Sequence, residues 1–310
     1  MKGKNKDFEK IGRNLRREIS GRVEERMLMK RFTTFKIGGI CELMIFPKNR
    51  EDLVRTIEYC EEQGLAWRIL GRGSNLLVLD KGVEEVLINL QEGLKEVAID
   101  NEGIARAEAG VRLAHLVKLC QDAGRSGLEF CAGIPGTLGG ALKMNAGAEG
   151  SEISQLIQSV EFYRYPEGNY VKNRKELKFQ YRRLELKKDE IIIAGQFELP
   201  KADPREIRAR ILNYLKRRRQ TQPIQYPSAG SVFKNPAGNY AGRIIEELGL
   251  KGYRIGDAQV SELHANYIIN RGRAKAGQVL ELIQLIQKKA LKEKGIKLEP
   301  EIEVIGKENE

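Results

Sequence analysis

Hydrophobic positions change period several times along the chain, and each change marks a new element. Leu15, Ile19 and Val23 recur at helical spacing within residues 1–30, which predicts a short helix with a frayed start. After Gly38 and Gly39, residues 41–46 predict a strand that Pro47 ends. Asn49 can cap a helix through Cys60, with Leu53, Ile57 and Cys60 on one face and Gly64 past its end. The next strand, 67–70, completes a βαβ unit. Strand patterns continue at 76–79, 86–90, 96–99 and 104–109. A helix follows over 112–123, with Leu113, Leu116, Val117 and Cys120 inward. Strands are expected at 160–165 and 191–199, separated by a turn at 166–169 and a basic link to FQYRRLEL.

Beyond Pro200 the pattern shifts. Asp203 as cap and Pro204 at the first helical position start a helix with Ile207, Ile211 and Leu215 on one face, the expected opening of a separate domain. AGRIIEELGLKG reads as a helix ending at Gly249, and 267–270 as a strand. Residues 276–294 read as a long helix with Val279, Leu282, Ile283 and Ile286 inward. LEPEIEVIG reads as a closing strand, with Glu301 and Glu303 on one side and Ile302 and Val304 on the other.

Composition narrows the class. The net charge of +11 suits anionic ligands or nucleic acid, but its signs are mixed along most of the chain, as on an ordinary solvated surface. Neither an aromatic platform nor a recognition-helix motif accompanies the basic cluster Lys216–Arg219, which argues against a nucleic-acid binder. Cys41, Cys60, Cys120 and Cys131 are scattered without a C-x-x-C pair, and His115 and His264 lie far apart, so no metal site is expected. A charged N-terminus without an apolar core, reduced thiols and the lack of a long apolar run lead to an expected cytoplasmic protein off the membrane.

Two glycine-rich stretches carry the candidate chemistry. GIPGTLGGALKMNAGAEG, 133–150, loses much chain entropy on ordering, so something must compensate. Either it brings backbone amides against a phosphate-bearing cofactor, or it forms tight turns between buried strands. GRGSNLLV, 71–78, lacks the third glycine and the helix of a Rossmann fingerprint, and lacks the G-K-S/T of a P-loop. YPSAGSVFKNP contains no G-x-S-x-G elbow, and His264 alone could serve as base, so a hydrolase triad is poorly supported.

Taken in order, TTFKIGG, GRGSNLLV, GIPGTLGGALKMNAGA, YRRLEL, YPSAGSVFKNP, AGRIIEELGLKG and LEPEIEVIG, from Thr33 to Gly306, resemble the UDP-N-acetylenolpyruvoylglucosamine reductases. The chain resembles the subgroup without an extra Tyr-bearing loop, and Tyr253 matches nothing in that loop. The resemblance implies an α+β fold: a PCMH-type (vanillyl-alcohol-oxidase-like) FAD-binding domain in two lobes, 1–94 and 95–200, plus a substrate domain, 201–310. It implies non-covalent FAD, with NADPH as reductant and UDP-N-acetylglucosamine enolpyruvate as substrate; a monomer is expected. A related oxidase with FAD attached through Cys131 is the rival of the same fold.

Site residues follow position by position from that resemblance. Gly71, Arg72, Gly73, Ser74 and Asn75 would hold FAD, together with Gly133, Ile134, Pro135, Gly136, Thr137, Gly140, Asn145, Ala146 and Gly147. Ser231 matches the family's proton donor. Arg182, following Tyr181, matches the Arg that pairs with the substrate carboxylate. Glu301 matches the catalytic Glu, with Glu299 as the alternative on the same face. Tyr181, Lys234, Asn235 and Gln259 are expected to contact the substrate, and Arg243 or Arg217 to face its diphosphate.

Overall fold

The computed structural model describes residues 7–307, so the first six residues of the expected N-terminal helix lie outside it. Helix α1 (Phe8–Glu18) is capped by Asp7, whose side chain accepts the Lys10 N–H. Val23, expected on that helix, stands instead in strand β1 (Arg22–Leu28). The break is at Ser20 and Gly21. The buried carboxylate of Asp52 accepts from the Ser20 N–H at 3.0 Å and the Lys48 N–H at 2.9 Å. A Cβ on Gly21 would lie 2.3 Å from the Phe46 carbonyl. Leu15 and Val23 are thus both buried, but by different elements.

Strand β2 (Ile40–Phe46), helix α2 (Arg50–Glu62) and strand β3 (Trp67–Leu70) form the expected βαβ unit, and the Asn49 side chain caps the helix by accepting from Asp52 N–H. Strand β4 (Leu76–Val78) belongs elsewhere. Strand β5 (Val86–Asn89) lies between β2 and β3 and runs parallel to both, giving the sheet order β1-β2-β5-β3. Strands β6 (Val97–Ile99) and β7 (Ile104–Glu108) and helix α3 (Leu113–Asp122) follow, with the helix's expected inward stripe buried.

The glycine-rich stretch contains a helix that its composition hides, α4 (Leu138–Lys143). Strands β8 (Gly147–Ala148) and β9 (Ser151–Glu152) make a small hairpin after it. Strand β10 (Ile157–Arg164) pairs with β11 (Gly168–Asn173), where a basic link was expected. Its polar residues do structural work: Tyr170 and Lys172 both bond the buried carboxylate of Glu190. Strands β12 (Phe179–Gln180) and β13 (Arg183–Leu184) form a hairpin, and β14 (Ile191–Glu198) completes a sheet of order β11-β10-β14-β7-β6. Helix α5 (Pro204–Thr221) starts on the expected Asp203 cap. Along it Ile207 is fully buried, and Ile211 and Leu215 are half-buried.

The remaining elements are α6 (Ala241–Glu247), strands β15 (Arg254–Ile255), β16 (Ala258–Val260) and β17 (Ile268–Asn270), helix α7 (Ala276–Lys294) and strand β18 (Glu303–Ile305). The strand β18 is parallel to β4. The expected alternation at the C-terminus fails: Ile302 and Ile305 are buried while Val304 is 41% exposed. A bend at Ile302 delays the strand to Glu303 and shifts its faces.

The chain divides into two compact units. Of the described residues, the first holds 7–27, 41–71 and 84–212, and the second 28–40, 72–83 and 213–307. The first contains both larger sheets. The second has one core, in which Val279, Leu282, Ile283 and Ile286 of α7 pack with Phe35, Leu77 and Phe233. Each such aliphatic side chain contributes about 1.5–3 kcal/mol of burial. Among the described residues no helix is long and apolar enough to cross a membrane, and no cluster of His, Cys, Asp and Glu could hold a metal ion.

Candidate active site

In the first unit, glycines make one wall. Helix α4 lies flat on the five-stranded sheet: a Cβ on Gly139 would stand 2.9 Å from Ala109 Cβ, and one on Gly195 of β14 would stand 3.0 Å from Leu142 Cδ1. Those two glycines serve protein packing. Gly133, Pro135 and Gly140 are exposed instead, and a Cβ on Gly140 would meet only Thr137 Oγ1, at 3.7 Å. Gly133 has φ +78°, a left-handed conformation suited to glycine. Thr137 is 2% exposed, and its hydroxyl would lie 2.5 Å from a Cβ on Gly71, so the end of β3 abuts the turn before α4. Gln91 Nε2 donates to the Gly71 carbonyl at 3.1 Å. The backbone at Gly133 and Gly140 is thus left open, and such close approach suits a pyrophosphate-bearing cofactor.

Tyr181 and Arg182 occupy the turn of the β12–β13 hairpin in the same unit. Tyr181 is 45% exposed, and the Arg182 guanidinium lies over its ring at 5.0 Å. A Cβ on Gly147 would stand 3.1 Å from Arg182 Nη1, so this cation passes directly over the glycine-rich segment. Lys143 and Ala146 belong to that segment, with Lys143 exposed and Ala146 half-buried.

In the second unit, Gly73 has φ +61° and is buried, and a Cβ there would stand 2.2 Å from the Phe32 carbonyl. The segment TTFKIGG therefore shapes GRGSN: the Thr34 N–H donates to the Gly73 carbonyl at 3.3 Å. Arg72 is exposed and Ser74 half-buried. Asn75 Nδ2 donates to the Glu301 carbonyl at 3.0 Å, and the Glu303 N–H donates to the Asn75 carbonyl at 2.9 Å.

Ser231 is brought to the same place. The Glu301 N–H donates to the Val232 carbonyl at 2.7 Å, and Ser231 bridges to Tyr267 on its other side. Buried Asn266 clamps this run, accepting the Phe233 N–H at 3.0 Å and donating to the Phe233 carbonyl at 2.8 Å. Ser231, Glu301 and Asn75 are thus neighbours, all half-buried, although far apart in sequence. Glu299 points into an exposed ion pair with Lys234 at 3.4 Å. Asn235 Oδ1 accepts the Ala241 N–H that opens α6, and Gln259 Nε2 donates to the Gly252 carbonyl. Arg243 is exposed and pairs with Glu247 of its own helix; Arg217 is exposed on α5. Asn266 had no sequence signal, since a buried amide in HANYIIN looks like any loop Asn.

Neither histidine nor cysteine supplies a nucleophile or base here. Burial holds His264 below its ordinary pKa, and its Nδ1 accepts the Asn266 N–H. His115 is exposed on α3. Burial pushes the Cys131 thiol up to about 12, so no thiolate is present at neutral pH.

The α+β fold and a profile match define the class, an FAD-binding flavoprotein. The sequence profile of the FAD binding domain matches residues 41–173. The profile described as UDP-N-acetylenolpyruvoylglucosamine reductase, C-terminal domain, matches residues 222–305. A UDP-N-acetylenolpyruvoylglucosamine reductase of Syntrophomonas wolfei is 45% identical over 90% of this chain and 94% of its own length. The protein of that description from Anoxybacillus flavithermus is 42% identical over 97% of this chain and all of its own. A crystal structure of the reductase from Thermus caldophilus matches with a TM-score of 0.79 at 40% identity, covering 92% of this chain and 99% of that one. The chain belongs to the UDP-N-acetylenolpyruvoylglucosamine reductase family.

Proposed function

We propose that the protein reduces UDP-N-acetylglucosamine enolpyruvate to UDP-N-acetylmuramate with NADPH and FAD, as a step of peptidoglycan precursor synthesis that supports cell shape and division. Family membership over nearly the whole chain supports the reaction. The observation that carries its assignment to residues is the junction of Ser231, Glu301 and Asn75 in the second unit.

FAD, when bound, supplies the two-electron relay between NADPH and the enolpyruvyl double bond. The backbone at Gly71–Asn75 and at Gly133–Gly147 would hold it without covalent attachment, since Cys131 is fully buried and burial pushes its thiol up to about 12. Hydride addition at the CH2 carbon would build negative charge on the carboxylate-bearing carbon. Arg182 pairs with the carboxylate and stabilises that charge. Ser231 gives its hydroxyl proton to the carbanion carbon. A hydroxyl is a weak acid, but an enolate-type intermediate is basic enough to take its proton. Glu301 is the acidic partner rather than Glu299, since Glu299 lies 67% exposed against Lys234. Tyr181, Lys234, Asn235, Gln259 and a cation from Arg243 or Arg217 bind the UDP-sugar.

The separate four- and five-stranded sheets support two lobes, 1–94 and 95–200, with 201–310 as the substrate domain, although 28–40 and 72–83 group with the C-terminal unit and 201–212 with the first. The enzyme acts as a cytoplasmic monomer, off membranes and nucleic acid. The test is Ser231→Ala. Flavin reduction by NADPH should survive, and turnover of the enolpyruvyl sugar should fall by about 10²–10⁴-fold, the usual contribution of a proton donor. Equal loss of both half-reactions would remove Ser231 from the role.

A further inference from the structure

Asn145 is only 1% exposed and holds φ +41°, a conformation that asparagine adopts more readily than most residues. Its amide is taken up by the protein. Nδ2 donates to Glu152 Oε2 at 2.8 Å and to the Gln180 carbonyl at 3.0 Å. Oδ1 accepts the Ser154 N–H at 3.2 Å. Both amide hydrogens are therefore committed, and the side chain has none left for a bound molecule.

These bonds gather three segments onto one buried point. Glu152 comes from β9, Ser154 from the turn behind it, and Gln180 from β12. Gln180 is the residue before Tyr181 and Arg182. The hairpin that carries them pairs Phe179 with Leu184 and Gln180 with Arg183, with one more bond from the Glu185 N–H to the Lys178 carbonyl at 3.0 Å. So short a hairpin is marginal without an anchor. Arg182 also holds φ +57°, which persists only where its surroundings fix it. Two residues beyond Asn145, the main chain at Gly147 runs beneath the guanidinium: a Cβ there would stand 3.1 Å from Arg182 Nη1 and 2.9 Å from Glu152 Cγ.

We propose that Asn145 is the positioning residue for Arg182. Its hold on the Gln180 carbonyl and on Glu152 fixes the hairpin turn, so that the guanidinium stays over Gly147 in the orientation a substrate carboxylate needs. The inference rests on the assignment of Arg182 as the carboxylate partner. Arg–carboxylate pairing is directional, so a turn that swivels loses affinity even with the cation present. Asn145 thus influences the reaction through the hairpin and not by contact.

The test uses the FAD-loaded full chain. Asn145→Gly and Asn145→Asp keep the left-handed backbone accessible while removing both donors. Glu152→Gln keeps an acceptor for Nδ2. The Asn145 variants should largely retain FAD and its reduction by NADPH. Their KM for UDP-N-acetylglucosamine enolpyruvate should rise, and kcat/KM should fall by about a hundredfold, the effect of a misplacement of about 1 Å. Glu152→Gln should stay close to the parent. Asn145→Gly combined with Arg182→Ala should be no worse than Arg182→Ala alone. Independent, multiplying losses in that double variant would overturn the proposal, as would loss of FAD with an unchanged substrate KM. Hydrogen exchange over residues 179–184 reads the same idea without substrate. Asn145→Gly should accelerate it there, and unchanged protection would overturn the positioning role. A parent protein that never turns over the sugar would instead refute the proposed function, and the exchange measurement would still decide the role of Asn145.

Discussion

Gly71 and Thr137 show how one atom decides what a position tolerates. A Cβ on Gly71 would stand 2.5 Å from Thr137 Oγ1 and at least 3.5 Å from the next nearest atoms. Gly71→Ala should destabilise by about 1–3 kcal/mol, the usual cost of overpacking. In a Thr137→Ala background most of that cost should vanish, because the obstructing hydroxyl is gone. Thermal midpoints of both single variants and the double check this: additive losses would contradict it. Gly73→Ala has no such remedy, since its obstacle is the Phe32 carbonyl at 2.2 Å and its φ is +61°. The sequence marked these glycines as important but did not separate their reasons. Gly139 is packing, Gly71 accommodates a neighbouring hydroxyl, and Gly133, Gly136, Gly140 and Gly150 are left facing outward or half-open. Composition counts glycines alike, whereas the distinction depends on what each missing Cβ would meet.

Regular elements with a clear period were legible: α2 with its Asn49 cap, α3 with its stripe, and α7 over the expected residues. Short or polar elements were not. Helix α4 is hidden by two glycines, whose helix propensity is poor; Gly139 gains close packing on Ala109, whereas Gly140 stays open. Strand β11 is hidden because its polar side chains are committed to partners: Tyr170 and Lys172 bond Glu190, and Lys172 also lies over the Phe162 ring. Such internal ion networks set the acid limit of the first unit. Burial alone would raise Glu161, but hydrogen bonds from Arg50 and Arg106 outweigh it and hold its pKa below the ordinary glutamate value. Glu190 behaves likewise, with Lys172, Tyr170 and the Lys187 N–H overcoming burial. A depressed folded pKa gives stability that is complete above the unfolded value and is lost as pH falls through the folded one. The thermal midpoint should therefore hold from neutrality to about pH 5 and fall below about 4.3, the ordinary Glu value. Glu161→Gln should lower the neutral-pH stability by about 1–3 kcal/mol and flatten the acid decline. An unchanged acid profile in that variant would contradict the assignment.

At the scale of the whole molecule, the +11 charge acquires a purpose if FAD, NADPH and a UDP-sugar all bind. Interactions between exposed charges are screened beyond about 8 Å at physiological ionic strength. KM for NADPH and for the UDP-sugar should therefore rise with added salt, while the rate at saturation changes less; a salt-independent KM would leave the basic excess a matter of solubility. The family could be read from ordered motifs spread over nearly the whole chain, because each motif keeps its local backbone demands. The resemblance named Asn75, Ser231 and Glu301, but their bonded junction could not be read, since it is made by parallel pairing of β4 with β18 and by the Glu301 N–H on the Val232 carbonyl. The central claim concerns electron flow from NADPH through a bound flavin to an enolpyruvyl sugar. Its most direct test is the visible spectrum of the purified protein under anaerobic conditions. The flavin absorbance should bleach on addition of NADPH and return on addition of UDP-N-acetylglucosamine enolpyruvate, with UDP-N-acetylmuramate formed in step. A colourless protein, or a flavin that stays bleached until oxygen is admitted, would contradict the account.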